Sequence, residues 1–192
     1  MEFDYSKEIA RAGLKIKAIK LNPGNPREWA SGFRMPIYND NRMFLFDYED
    51  RSLVRKGLKS IAEKLPFSVI AGTSTAGISP ATSLADEYRY PLIYIRDKPK
   101  DHGLRNQIEG IDAEIGLEGR QVLLIEDLIS TGGSSVKAVQ AIRNADGKCD
   151  DCISIFNYGF DVSEKMFAGE EPYDSYGNKL SPPLQSSFSF NI

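Results

Sequence analysis

The chain has 192 residues, 41% of them hydrophobic, which is enough for one core of ordinary size and too few for two generous ones. A formal net charge of −3 does not draw in polyanions, so nucleic-acid binding has no electrostatic support, while a small anion in a local basic pocket stays open. No apolar window reaches the about 18 residues needed to cross a bilayer, and MEFDYSKEIARAG at the N-terminus has no apolar run; the expectation is a soluble, cytoplasmic protein with no membrane partner.

In chain order, Ile9, Ala12, Gly13, Ile16 and Ile19 give a helical pattern. A turn-rich loop, LNPGNPREWASG, follows and leads into a short extended piece from Met35 to Arg42. Between Asp47 and Leu65, the apolar positions Leu53, Val54, Leu58, Ile61 and Leu65 mark one face of a second helix. Four β-type runs come next: SVIAG (68–72), LIYI (92–95), QVLLIED (121–127) and CISIF (152–156). Helical stretches from Ala76 to Tyr88 and from Ser135 to Ala145 separate them.

Strands apolar at successive positions and alternating with helices predict an α/β fold, a mostly parallel sheet covered on both faces. Ligands of such sheets bind outside the carboxyl ends of the strands, which picks out the loops beginning at Gly72, Arg96 and Glu126. The stretch from Arg96 to Gly119 is charged and punctuated by glycine, and so long a polar connection in a compact domain reads as either a disordered segment or a functional loop. The expected division is an N-terminal helix and hood over 1–45, an α/β core over 46–160 with a mobile loop over 96–113, and a weakly structured tail over 161–192. The sequence contains no internal repeat.

Cys149 and Cys152 form a CxxC, a pattern open to a redox pair or half a zinc site. Structural zinc needs about four ligands, and the single histidine, His102, is remote in sequence. A reactive CxxC opens a helix, whereas this one follows a helix and precedes a strand. Two ordinary cysteines near a strand start are the better reading.

The stretch IEDLISTGGSS, residues 125–135, carries the most chemistry. Ser130, Thr131, Gly132, Gly133 and Ser134 form a tight turn into a helix marked by Val136, Val139 and Ile142. Glycines let successive N–H groups face one concavity, hydroxyls add donors, and the helix N-terminus adds partial positive charge, so this is a phosphate cradle. Glu126 and Asp127 are poorly suited to phosphate but well suited to vicinal sugar hydroxyls or a hydrated magnesium ion. A plain turn with solvated acids is the bland alternative. The order acid, acid, two apolar residues, Ser-Thr-Gly-Gly-Ser speaks against it.

VLLIEDLISTGGS resembles the phosphoribosyl pyrophosphate (PRPP) motif of type I phosphoribosyltransferases. Tyr94-Ile95-Arg96-Asp97-Lys98-Pro99-Lys100-Asp101-His102-Gly103, followed by Asn106 to Gly110, is similar to the mobile catalytic loop of the orotate phosphoribosyltransferase family. The likeness extends through Ala18–Pro23, Trp29–Gly32, Pro36–Tyr38 with Asp40–Arg42, and Ala71–Ile78, so it spans residues 5–160 in order. Gly72 and Gly77 stand at P-loop spacing, but Ile78 replaces the lysine an ATPase needs.

The resemblance implies the type I phosphoribosyltransferase fold and transfer of phosphoribose from PRPP to orotate, giving orotidine 5′-phosphate and pyrophosphate. It implies Leu128, Ile129, Ser130, Thr131, Gly132, Gly133 and Ser134 around the 5-phosphate, and Glu126 and Asp127 on the ribose hydroxyls. Thr73 and Ser74 would lie under the pyrophosphate, which Arg96, Lys100 and His102 engage in a neighbouring subunit of a homodimer. Lys100, Arg96, His102 and Asp127 form the implied catalytic set, and Ser130 matches the family's hydroxyl beside the base; the orotate carboxylate also needs a donor, for which Arg42, Arg34 and the backbone near Ser31 are the candidates, with a structural ion pair the alternative for Arg42. Magnesium is the implied cofactor, held through PRPP and water rather than directly by the protein.

The sequence departs from the pattern at several places. Some members carry basic residues where this chain has Ala30, Ala76 and Asp97, and an Asp-Arg where it has Phe156-Asn157. These departures concern base and diphosphate binding, so another base, uracil or a purine, is the nearest alternative. A non-catalytic PRPP-sensing regulator is the other; it would be expected to add a basic segment and lose the loop, and this sequence does neither.

Overall fold

The computed structural model describes residues 3–28, 34–98, 107–112, 115–169 and 186–187. Helix α1 (Tyr5–Lys15) opens at Asp4, whose carboxylate accepts from the Lys7 N–H, and buries Ile9 and Gly13. Ile19, which the periodicity assigned to this helix, instead starts β1 (Ile19–Leu21). Lys17 takes a left-handed φ of 61°, which ends the helix and reverses the chain. β1 pairs antiparallel with β4 (Ile37–Asn39), and β2 (Arg27–Glu28) with β3 (Arg34–Met35), forming the two small ladders of the hood.

A 3-10 turn (Asn41–Leu45) leads into α2 (Tyr48–Ala62), capped by Asp47 accepting from the Glu49 and Asp50 N–H groups. The remaining elements are β5 (Val69–Thr73), α3 (Ile78–Tyr88), β6 (Leu92–Ile95), β7 (Ile108–Glu109), β8 (Gln121–Ile129), α4 (Gly133–Asn144), β9 (Lys148–Asn157), α5 (Asp161–Ala168) and β10 (Ser186–Ser187). Six strands make one sheet in the order β10-β9-β8-β5-β6-β7, parallel except for β7.

The continuous apolar runs are explained by burial on both faces. Along β8, Val122 and Leu124 join a core with Val139, Ile142 and Phe167, while Leu123 and Ile125 join another with Leu58, Ile70 and Leu84. Period-2 alternation thus feeds two cores from one strand, one under α4 and α5 and one under α1, α2 and α3.

Two boundaries differ from expectation. β8 runs on to Ile129, pairing Leu128 with Phe156 and Ile129 with Asn157, so the acid pair lies inside the ladder rather than at its end. Residues 161–168, placed by the sequence in a weakly structured tail, form α5, because Met166 and Phe167 find an apolar cleft beside α4. Cys149 and Cys152 are buried, unbridged thiols in β9, and burial pushes the Cys149 thiol up to about 12, which is inert rather than reactive. Among the described residues no helix is long and apolar enough to cross a membrane.

Candidate active site

The carboxyl ends of β5, β6 and β8 carry the site. After Ile129, Gly132 adopts a left-handed φ of 83° as the first flanking residue of α4, a conformation that glycine takes without the Cβ clash. No side chain caps α4. Its first-turn N–H groups, which lack helical partners, are left for an anion. Ser130, Thr131 and Gly133 are half-buried and Ser134 is exposed along this turn.

The turn after β5 abuts the same region. The Ser74 N–H donates to the Ile95 carbonyl at 2.8 Å and the Gly77 N–H to the Thr73 carbonyl at 3.0 Å, which ties this turn to β6. A Cβ on Gly72 would meet the Gly77 carbonyl oxygen at 2.7 Å, and one on Gly77 would meet the Ile125 carbonyl oxygen at 2.6 Å. Glycine is therefore required at both positions for the turn to press against β8. The Ser74–Thr75 peptide is cis.

The acid pair, read in the sequence as two side-by-side sugar ligands, is divided by the pleat of β8. Glu126 faces α4 and is only 5% exposed. Its Oε1 accepts from the Thr73 hydroxyl at 2.6 Å and from the Asp127 N–H at 3.0 Å, and its Oε2 from the Ser135 hydroxyl at 3.1 Å. Burial, then the neighbouring Asp127, raises its pKa to about 8. Ser135, a buried hydroxyl in the first turn of α4, escaped the sequence reading, where it merely began a helix.

Asp127 is half-buried and borders a cleft on the other side of β8, with its carboxyl still within hydrogen-bonding reach of Glu126. The Asn41 amide donates to its backbone carbonyl at 2.6 Å. Asp127 lines a cleft of about 400 Å³ with Asn41, Arg42, Phe44, Ala76 and Ser79. Arg42 is held by Asp40 through two hydrogen bonds, Nε to Oδ1 at 2.7 Å and Nη2 to Oδ2 at 2.8 Å. These bonds raise the guanidinium pKa, and the Asp127 charge raises it further. Arg42 thus faces the Asp127 cleft while pinned by its own neighbour.

A second cleft, about 270 Å³, opens on the α4 side and is lined by Thr73, Ser74, Arg96, Asp97, Ser134 and Lys137. Arg96 directly follows β6, and its guanidinium donates to Glu109 on β7 at 3.3 Å. Lys137 was missed from the sequence; its only signal was a cation one helical turn after Gly133. Lys100, His102 and Ser31 lie outside the described residues.

The Phosphoribosyl transferase domain family model matches residues 48–166. Orotate phosphoribosyltransferase of Cytophaga hutchinsonii is 46% identical over 166 residues, 85% of this chain and 78% of that protein. Among solved structures, orotate phosphoribosyltransferase from Aeropyrum pernix superposes with a TM-score of 0.72 at 22% identity, covering 95% of this chain and 92% of that one. Mycobacterium tuberculosis orotate phosphoribosyltransferase in complex with PRPP superposes with a TM-score of 0.65 at 18% identity, covering 98% and 96%. With its core matched by that model and its length matched by such a relative, the chain belongs to the phosphoribosyl transferase domain family.

Proposed function

We infer that the protein transfers the 5-phosphoribosyl group of PRPP to orotate, forming orotidine 5′-phosphate and pyrophosphate in pyrimidine nucleotide synthesis. The observation that carries the reading is the convergence of two glycine turns on one sheet end: the uncapped start of α4 after β8 and the Gly72–Gly77 turn after β5. One suits a terminal phosphate and the other a diphosphate, with acids in the strand between them. The relative at 46% identity, named orotate phosphoribosyltransferase, supports orotate as the base.

In this mechanism the 5-phosphate sits on Ser130–Ser134, and Asp127 accepts from the ribose hydroxyls with Glu126 behind it. As the bond from C1 to pyrophosphate breaks, the sugar becomes oxocarbenium-like. The Asp127 carboxylate favours that positive centre, and Arg96, Lys100 and His102 favour the departing anion. The protein positions and compensates charge and forms no covalent intermediate. Ser130, Arg42 and Ser31 hold orotate, which leaves N1 facing C1. Among the described residues no group of three or more His, Cys, Asp or Glu side chains could hold a metal ion. Magnesium would be carried mainly on the diphosphate and held through water, with Asp127 as a carboxylate that could accept from that water. The ion would neutralise diphosphate charge.

A second copy of the chain would cover the exposed apolar edge of Met43, Leu45, Phe46 and Tyr48, where Phe46 is 96% exposed. Its loop from Arg96 to Gly103 would complete the neighbouring site, and the compartment that suits the reaction is the cytoplasm. The deciding assay supplies PRPP, magnesium and orotate to the purified protein and follows the loss of orotate absorbance. Turnover is expected; turnover only with uracil or a purine would replace the base, and none with any base would sink the reading.

A further inference from the structure

We propose that Lys137 is a diphosphate-binding residue of this enzyme, contributing from α4 the cation that the turn after β5 lacks. The proposal rests on the transferase reading and adds to it a residue that binds the leaving group.

The turn at 72–77, GTSTAG, offers backbone N–H groups and hydroxyls but no positive side chain. Among the described residues, the cations in the cleft it borders are Arg96 and Lys137. Arg96 donates to Glu109, which offsets part of its charge, and Asp97 adds a negative charge to the same wall. Apart from the loop cations Lys100 and His102, a diphosphate there would therefore meet a positive charge that Glu109 and Asp97 partly offset. Lys137 brings a second cation to that wall.

Geometry favours Lys137 reaching the ligand. Ser134 and Lys137 are three residues apart, so they share one face of α4, and both line the cleft with Thr73 and Ser74. Helical side chains lean toward the helix N-terminus, which directs the lysine stem back over the first turn of α4. Its ammonium, a compact charge on a flexible stem, suits phosphate oxygens that change position as the bond to the sugar breaks. The 5-phosphate, bound at the N-terminal N–H groups of α4, lies before Lys137 in the chain. The diphosphate, between β5 and β6, lies beside it.

The test measures binding of magnesium pyrophosphate and of ribose 5-phosphate, separately, to the native protein and to Lys137→Gln and Lys137→Arg. Pyrophosphate binding is expected to weaken about 10-fold in Lys137→Gln and to recover in Lys137→Arg, with ribose 5-phosphate binding unchanged. Unchanged pyrophosphate binding in Lys137→Gln overturns the proposal, as does an equal loss for both ligands, which would mean that the start of α4 had been disturbed. Turnover of PRPP and orotate by the native protein, measured alongside, tests the transferase reading separately.

Discussion

The Thr73 hydroxyl donates to Glu126 Oε1 at 2.6 Å, so the last residue of β5 and the first acid of β8 are joined by a buried bond across neighbouring strands. Ser135 of α4 donates to the other oxygen of that carboxyl at 3.1 Å. One side chain thereby links the turn after β5, the acid-bearing strand and the first turn of α4. Carboxylate burial without full charge compensation is costly, which is why this carboxyl holds its proton to about pH 8.

That shift has a definite sign. The folded pKa lies above the unfolded value, so the folded state binds the proton more tightly. The contribution is complete below the unfolded value of 4.5 and is lost as pH rises through about 8. Glu126→Gln keeps a neutral acceptor and removes the titration. The stability of the native protein relative to Glu126→Gln should fall between pH 5 and 9 in chemical denaturation, and parallel curves would refute it.

Gly77→Ala should disable the turn after β5. The added Cβ would lie 2.6 Å from the Ile125 carbonyl oxygen and 2.8 Å from the Thr73 nitrogen, both backbone atoms that cannot swing aside. Overpacking of this kind costs ~1–3 kcal/mol. The expected outcome is a lower unfolding midpoint together with weaker PRPP binding, read by thermal denaturation and by titration.

Asn41→Ala removes the amide that donates to the Asp127 carbonyl at 2.6 Å and leaves that acceptor without its donor. A cost of ~1–3 kcal/mol follows for a part-buried group. Because the bond fixes the backbone that carries Asp127, kcat/KM should fall more than the change in stability alone explains. A loss of stability with unchanged kinetics would confine Asn41 to a structural role.

Arg42→Ala separates the two roles open to that side chain. The pair with Asp40 is largely exposed at the arginine, so its loss should move stability by less than ~1 kcal/mol. If Arg42 also holds the orotate carboxylate, the KM for orotate rises about 10-fold with the KM for PRPP unchanged. An unaltered orotate KM would leave only the ion pair.

Lys100→Ala should lower the chemical step far more than PRPP affinity, since its cation acts on charge that appears as the bond breaks. Single-turnover and binding measurements separate the two; equal rates would rule out its role.

Much of this architecture was legible in the chain. The runs of Val122–Ile125 and Val69–Ala71, apolar at every position, specify strands buried on both faces, and the order Thr131-Gly132-Gly133-Ser134 before a helical period specifies a tight turn opening a helix. These signals are local, set by backbone conformation and side-chain chemistry within a few residues. The fate of the acid pair was not local. Adjacent residues of a strand point to opposite faces, but only the extension of β8 to Ile129, fixed by pairing with Phe156 and Asn157 of β9, puts Glu126 and Asp127 under that rule. Packing then decided the rest: α4 buried Glu126 against Ser135, the 3-10 turn brought Asn41 to the Asp127 carbonyl, and a lysine one turn along α4 came to share a cleft with Thr73 and Arg96. The sequence by itself determined which chemical groups were present and which glycine turn would open α4. Only the tertiary structure decided which of two adjacent carboxyls would be buried and protonated, because that depends on neighbours remote in sequence and on the water they exclude.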